Sequence, residues 1–155
     1  MRRSNILAHR GWWSKIEEKN SFEALRRALS AGFGIETDFR DLNGIIVVSH
    51  DPPQGSALEA KAFFELYAEL GATGRLALNI KADGLQQQLF SLLSKTGMSD
   101  QNYYAFDMSV PDALGYIKYN FPAYTRLSEY EAKPAFPDLS AGAWIDNFSG
   151  SFAQV

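Results

Sequence analysis

Short apolar runs alternate with helical patterns along the chain, and this alternation constrains the fold more than any other feature. Strands are predicted at residues 5–8, 33–40, 45–48, 75–81, 102–107, 123–129 and 141–148. Helices are predicted at residues 20–32, 57–71, 85–97 and 110–120. Strands that alternate with helices predict parallel β/α architecture. The expected fold class is therefore α/β, with the carboxyl ends of the parallel strands on one face.

Two local signals define element boundaries. Asn20 or Ser21 can cap the first helix, and Glu23 stands three residues after Asn20, as in a capping box. Asn43 and Gly44 stand between two strand patterns, and this dipeptide is a strong hairpin signal. A β-hairpin is therefore expected inside the otherwise parallel arrangement.

Composition excludes several classes of function. The net charge of -3 does not favour nucleic-acid binding, which usually requires a basic excess. The absence of cysteine excludes disulfides and thiolate chemistry. No apolar run approaches the roughly 18 residues of a membrane span, and the N-terminus lacks the apolar core of a signal peptide. A cytoplasmic protein without stable membrane insertion is expected.

Polar residues cluster in or just after the predicted strands. They are His9, Arg10, Glu36, Asp38, His50, Asn79, Lys81, Asp107 and Asp146. In a β/α barrel this end of the strands carries the chemistry, so their convergence on one face indicates a site.

Glu36 and Asp38 are two residues apart in a strand and therefore project to the same side, with Cα atoms roughly 6.5–7 Å apart. Two such carboxylates repel unless a cation lies between them or one is protonated. Magnesium or calcium, which take oxygen ligands, would satisfy the pair. The alternative is a solvated strand face with Arg40 as the counter-charge.

The two histidines of the chain, His9 and His50, are candidates for acid–base chemistry because imidazole titrates near neutral pH. A structural or merely exposed histidine is the alternative for each. Arg10 suits a phosphate or carboxylate, and a surface ion pair is its alternative. Lys81 is suited either to stabilising an anionic transition state or to pairing with a carboxylate of the sheet.

Two aspartates later in the chain could face the same cleft. Asp107 lies in the sequence "AFD" and Asp146 in "WIDNF". Both are interpreted in the first place as helix caps or turn residues.

The ordered segments "AHRG", "NSFEALRRALSAGFGIETDFRD" and "GIIVVSHD" resemble the glycerophosphodiester phosphodiesterase family, which is related to the phosphatidylinositol-specific phospholipase C-like barrels. The clear match covers residues 5–51, with weaker agreement to about residue 107. Each element alone is a weak signal, whereas the combined order is specific.

The resemblance implies a TIM-type (β/α) barrel with one divalent metal ion, Mg²⁺ or Ca²⁺. It implies that His9 and His50 act as acid and base on a small-molecule phosphodiester. Arg10 and Lys81 would bind the phosphate. The implied metal ligands are Glu36, Asp38 and the residue at the position of Asn79.

The chain departs from the family pattern at two positions. The family reads Pro-Glu-Asn-Thr where this chain reads "EKNS", so Lys19 replaces an acid. Asn79 replaces the glutamate of a Glu-x-Lys strand, while Lys81 is kept. Weaker metal affinity is expected, or another carboxylate, Asp107 or Asp146, completes the site.

Length is a third departure, because a TIM barrel typically needs about 250 residues. About six β/α units are recognisable, so residues 1–155 are expected to form one glycerophosphodiesterase-like barrel domain that lacks its last two units. A truncated chain, a reduced barrel and closure by a second subunit in a homo-oligomer are the three explanations.

Three functions are compatible with these patterns. The leading one is a metal-dependent hydrolase that cleaves a glycerophosphodiester to glycerol phosphate and an alcohol. The second is a catalytically impaired relative that binds a phosphate-bearing ligand, which Asn79 and the short chain favour. The third, with least support, is a structural domain whose polar strand ends are incidental.

Overall fold

A computed structural model of the protein describes residues 2–150. Strands and α-helices alternate along this part of the chain, as the sequence pattern predicts. The strands are β1 (Leu7–His9), β2 (Gly34–Leu42), β3 (Ile45–Val48), β4 (Leu58–Glu59), β5 (Leu76–Ile80), β6 (Tyr103–Phe106), β7 (Tyr124–Leu127) and β8 (Gly142–Ile145). The α-helices are α1 (Phe22–Ser30), α2 (Ala60–Glu69), α3 (Gln86–Thr96) and α4 (Val110–Lys118).

Six of the strands form a parallel series in the order β1-β2-β5-β6-β7-β8. Regular parallel ladders join β1 to β2, β2 to β5, β5 to β6 and β7 to β8. Between β6 and β7 the connection is a single parallel bridge from Ala105 to Ala123. The α/β class and the parallel arrangement are confirmed. Within residues 2–150 no ladder joins β8 back to β1, so closure of the expected TIM-type barrel is not observed.

The predicted hairpin is confirmed and extends β2 beyond the parallel sheet. Asn43 and Gly44 have φ angles of 51° and 80°, and β3 returns antiparallel to β2. The amide of Ser49 then donates to the carbonyl of Asp38 over 3.0 Å. This bond brings His50, the next residue, back to the strand that carries the carboxylate pair.

The main core lies between the outer face of the parallel sheet and the helices. Phe39 of β2 stacks on Phe64 of α2 with ring centroids 5.6 Å apart, and both are fully buried. Burying a side chain of this size typically contributes about 1.5–3 kcal/mol. A smaller cluster lies on the opposite face of the sheet. It consists of Ala77, Tyr104 and Phe106 with Leu7, Tyr124 and Trp144.

The first helix begins later than predicted. Ser21, one of the two predicted caps, is the N-cap and its side chain accepts from the amide of Ala24. The predicted capping box of Asn20 and Glu23 is wrong. Glu23 pairs with Arg26 instead. None of the helices within residues 2–150 is long and apolar enough to cross a lipid bilayer.

Candidate active site

The turn after β1 is held in an unusual backbone conformation. Arg10 has a φ of 58° and Gly11 a φ of 90°. The amide of Arg10 donates to the carbonyl of Glu36 over 2.8 Å. A Cβ at Gly11 would lie 2.7 Å from the backbone carbon of Ala24 in α1. The turn is therefore fixed between β2 and α1, and such sparsely populated conformations concentrate at functional sites.

This turn directs His9 towards the carboxylate pair. The indole Nε1 of Trp13 donates to the carbonyl of His9 over 2.9 Å. The Nε2 atom of His9 lies 3.6 Å from Oε2 of Glu36. Partial burial, and then the positive charge of Arg10, lower the pKa of His9 below its usual value. A lowered pKa favours the neutral imidazole, which can accept a proton.

Glu36 and Asp38 are buried, with 3% and 0% of their surface exposed. Oδ2 of Asp38 accepts from Nδ2 of Asn20 over 2.9 Å and lies 2.9 Å from Nε of Arg10. The solvated strand face considered for this pair is wrong. Arg40 is not their counter-charge, because its Nε donates to the carbonyl of His50 over 2.8 Å.

Asn79, on the neighbouring strand β5, contacts the pair directly. Its Nδ2 donates to Oε1 of Glu36 over 2.9 Å. Burial is the main reason why the pKa of Glu36 rises to about 7, and the negative charge of Asp38 adds to the effect. The bond from Asn79 and the charges of Arg10 and Lys81 oppose it.

Three buried oxygen atoms in this group lack a hydrogen-bond partner: Oε2 of Glu36, Oδ1 of Asp38 and Oδ1 of Asn79. Buried polar atoms are normally satisfied, so three such oxygens on adjacent strands call for a missing partner. Oxygen ligands with two negative charges suit a hard cation such as Mg²⁺ or Ca²⁺. The residues present therefore fit a divalent ion.

His50 is held from two sides. Its Nδ1 lies 2.9 Å from Oδ1 of Asp51, and Arg40 holds its carbonyl. His50 also lies close enough to His9 to contribute to the lowered pKa of that histidine. The structure thus brings both histidines to the same rim as Glu36 and Asp38.

The remaining predicted residues form a charged network at the ends of β5 to β8. Nζ of Lys81 lies 2.6 Å from Oδ2 of Asp107, and Nη1 of Arg126 lies 2.5 Å from Oδ1 of the same carboxylate. Oδ1 of Asp146 accepts from Nε1 of Trp144 over 2.8 Å. Lys81 thus pairs with a carboxylate of the sheet, which was one of its two predicted roles.

Asp107 and Asp146 were interpreted as caps or turn residues, and neither is a helix cap. Ser109 caps α4, whereas Asp107 lies in the bend after β6 with a φ of 70°. Oδ2 of Asp146 lies 4.0 Å from Nε of Arg126. Across residues 2–150, no three histidine, cysteine, aspartate or glutamate side chains come together as metal ligands would. The expectation that either aspartate completes a metal site therefore receives no support.

Two residues of the site were missed at the sequence level. Asn20 bridges Asp38 and Thr37, since its Oδ1 accepts from Oγ1 of Thr37 over 2.8 Å. Its position before the helix favoured a capping role. Its place in the family motif could have indicated that it belongs to the site. Arg126 had no such signal, because its relation to Asp107 depends on the packing of β7 beside β6.

The fold and this rim define a class of protein: a β/α sheet protein whose polar and charged side chains meet at the carboxyl ends of parallel strands. No protein-family model and no curated protein matches the sequence. Solved structures do match.

The structure is similar to glycerophosphodiester phosphodiesterase from Agrobacterium tumefaciens, with a TM-score of 0.63, 19% identity and 80% of this chain covered. A Galdieria sulphuraria protein provisionally assigned to the same enzyme class has a TM-score of 0.70 at 18% identity, over 91% of this chain. The Thermotoga maritima glycerophosphodiester phosphodiesterase has a TM-score of 0.50 at 19% identity, over 79% of this chain.

These likenesses establish the fold and support the resemblance found in the sequence. The three neighbours belong to the phosphoric diester hydrolases. The matched regions span 66%, 74% and 72% of the three solved chains, so this chain corresponds to about two thirds to three quarters of such a protein.

Proposed function

We propose that the chain is a metal-dependent phosphodiester hydrolase that cleaves a glycerophosphodiester to glycerol phosphate and an alcohol. The observation that carries the proposal is the group of three unpartnered, buried oxygens of Glu36, Asp38 and Asn79. His9 lies at its edge, 3.6 Å from Glu36. The fold shared with glycerophosphodiester phosphodiesterases supports the same conclusion.

Glu36, Asp38 and Asn79 would hold one Mg²⁺ or Ca²⁺ ion. Such an ion lowers the pKa of an oxygen nucleophile and neutralises phosphate charge. Nε of Arg10 lies 2.9 Å from Oδ2 of Asp38, and its planar guanidinium would bind an anionic oxygen of the phosphate. Lys81, which directly follows β5 and pairs with Asp107, would add a second positive charge to the phosphate site.

The two histidines divide the proton transfers between them. His9 has a lowered pKa and accepts the proton of the attacking oxygen, which is water or a hydroxyl of the substrate's own glycerol. A new P–O bond forms while the bond from phosphorus to the leaving alcohol breaks. When water attacks, this step gives glycerol phosphate directly; when the glycerol hydroxyl attacks, it gives a cyclic phosphate, and water then forms a second P–O bond as the ring P–O bond breaks to give glycerol phosphate. His50 donates a proton to the departing alkoxide. Asp51 and Arg40 hold His50 in position.

A binding protein without turnover is the second candidate. The observation in its favour is that Asn79 is an amide and already donates to Oε1 of Glu36. The site therefore carries one negative charge fewer than a glutamate would provide, which weakens divalent-ion binding.

A substrate panel separates the two candidates. Purified protein is incubated with several glycerophosphodiesters and with bis(p-nitrophenyl) phosphate, in Mg²⁺, Mn²⁺ or Ca²⁺ and in excess chelator. Hydrolysis that needs the ion is expected. Turnover that persists in chelator would exclude the metal role. Glycerol phosphate binding without any turnover would establish the binding protein.

A further inference from the structure

We propose that an apolar groove beside β1, here called the Trp12 groove, docks the protein reversibly onto an anionic lipid surface. The inference goes beyond hydrolysis, because docking depends on side chains that take no part in the proposed ion binding and proton transfers. The apolar lining of the groove consists of Ile6, Ala8, Trp12, Trp13 and Phe33. Arg3 and Lys19 stand over two of its aromatic rings.

The Trp12 groove is an open depression of about 380 Å³. Trp12 meets Phe33 edge to face, with ring centroids 6.0 Å apart. The Nε1 atom of Trp13 is bonded to the carbonyl of His9, so this indole presents apolar surface to the groove. Trp12 is 53% exposed and Ile6 is 40% exposed. Large apolar side chains that are exposed together in this way mark an interaction surface.

Two cations stand at the rim of the groove. The guanidinium carbon of Arg3 lies 5.7 Å from the ring centroid of Phe33, and Nζ of Lys19 lies 4.6 Å from that of Trp13. Nη1 of Arg3 donates to the carbonyl of Ala31 over 3.4 Å, which leaves its charge unneutralised. Neither cation forms an ion pair in the described part of the chain. Their alkyl stems can cover apolar surface while the charged groups reach outwards.

The segment that contains the whole groove concentrates positive charge. Residues 1–33 carry seven basic and three acidic side chains, whereas residues 34–155 carry eight basic and fifteen acidic ones. Arg2 and Lys15 are exposed and, within residues 2–150, also form no ion pair. Each basic residue near an anionic bilayer raises affinity about fivefold. The charge of this segment therefore complements an anionic surface, although the chain as a whole is acidic.

A lipid surface fits these features better than a second copy of the chain. Two copies that met through their Trp12 grooves would bring unpaired cations against each other, and like charges across an interface oppose association. Tryptophan is enriched at the boundary between headgroups and acyl chains, and basic residues beside apolar ones are typical of proteins that lie on anionic bilayers. Such docking is peripheral and needs no membrane-spanning helix. His9 also lines the groove, so docking would bring the rim of the candidate active site to the lipid surface.

Co-sedimentation with vesicles tests the cations. The protein is mixed, in excess chelator, with vesicles of phosphatidylcholine alone or of equal parts phosphatidylcholine and phosphatidylglycerol. Binding to the anionic vesicles only, weakened by added salt, is expected. The double variant Arg3→Glu, Lys19→Glu is expected to lose at least about tenfold in affinity. The control Lys95→Glu, Lys118→Glu changes two exposed lysines of α3 and α4 and should keep most of the affinity. Equal losses in the two double variants would overturn the proposal.

Tryptophan fluorescence tests the apolar lining. In a Trp144→Phe background the emission reports on Trp12 and Trp13, and anionic vesicles are expected to shift it to shorter wavelength. Brominated acyl chains should quench it. Ile6→Ser is expected to lower vesicle affinity at least about fivefold, whereas the control Leu139→Ser, at a side chain 60% exposed outside the groove, should not. Circular dichroism checks folding, and Ile6→Ser also serves as the second variant if the charge variant fails to fold.

Three outcomes separate the alternatives. Folded wild-type protein that binds neither kind of vesicle would overturn the proposal. A dimer in sedimentation velocity that Ile6→Ser dissociates, with no vesicle binding, would overturn it in favour of a second copy in the groove. Binding to anionic vesicles that depends on the groove, in a protein that hydrolyses no diester, would support the docking surface and reject the proposed function.

Discussion

Asn79 donates a hydrogen bond from Nδ2 to Oε1 of Glu36 across 2.9 Å, and both side chains are buried. A glutamate at position 79 would instead place a further negative charge beside Glu36, in a site that already contains the carboxylate of Asp38. The amide thus reduces repulsion when no ion is bound. The amide of Asn79 also attracts a cation less strongly than a glutamate would. The stability of the ion-free protein and its affinity for the ion are therefore expected to oppose each other at this position.

Substitution of this amide tests the trade-off. Asn79→Glu is expected to raise affinity for Mg²⁺ or Ca²⁺ about tenfold or more, because it adds a negatively charged ligand. It is also expected to lower the melting temperature in chelator. Titration calorimetry and thermal unfolding with and without the ion measure the two effects. Asn79→Leu, which has no oxygen, is the control and should lose ion binding. No ion binding by either the wild type or Asn79→Glu would contradict the metal site.

Removal of either histidine tests the proposed proton transfers. His9→Ala and His50→Ala are each expected to lower kcat with Mg²⁺ by a factor on the order of 10²–10⁴, the usual contribution of a positioned acid or base. Both side chains are substantially exposed, at 61% and 44%, so the fold should tolerate their loss. Circular dichroism checks this. An unchanged rate in a folded variant would remove that histidine from the mechanism.

Local sequence patterns were sufficient to predict the strand that carries Glu36 and Asp38. Alternation in β2 places both carboxylates on one face, and Asn43-Gly44 determines the hairpin that returns His50 to them. Both relations join residues that are close together in the sequence. The relation of Arg126 to Asp107 depends instead on how β7 lies against β6, which no local pattern encodes. Asn20 was misinterpreted for a related reason, because its contact with Asp38 crosses 18 residues.

The turn at Gly11 offers a test of how tightly the site is fixed to the helix layer. Gly11→Ala is expected to destabilise the fold by more than about 2 kcal/mol, because its Cβ would lie 2.7 Å from the backbone of Ala24 at a φ of 90°. Gly32→Ala is the matched control: its φ is 80°, and nothing lies within 4 Å of the added Cβ. That variant should lose only about 1 kcal/mol. Denaturant unfolding measures both, and equal losses would show that the contact with α1 is soft.

Asp112 provides a test away from the rim. It is 7% exposed, and its Oδ1 accepts from the amide of Gly84 over 2.8 Å and from Nε2 of Gln86, while Oδ2 is buried without a partner. Burial raises the pKa of Asp112 above its usual 3.8. The native state therefore holds this proton more tightly than the unfolded chain. The resulting stability is fully present below about pH 3.8 and is lost as pH rises through the native pKa.

Asp112→Asn keeps the accepting oxygen and removes the ionisable one, so the variant is neutral at every pH. We expect it to be more stable than the wild type by about 1 kcal/mol at pH 7.5, with a smaller difference at pH 4.5. Urea unfolding at both pH values measures the difference in stability between the variant and the wild type. The contributions of all other carboxyl groups cancel in this difference. A variant that loses more stability at pH 7.5 than at pH 4.5 would contradict this. In that case Gly84 and Gln86 would stabilise the charged carboxylate by more than its burial destabilises it.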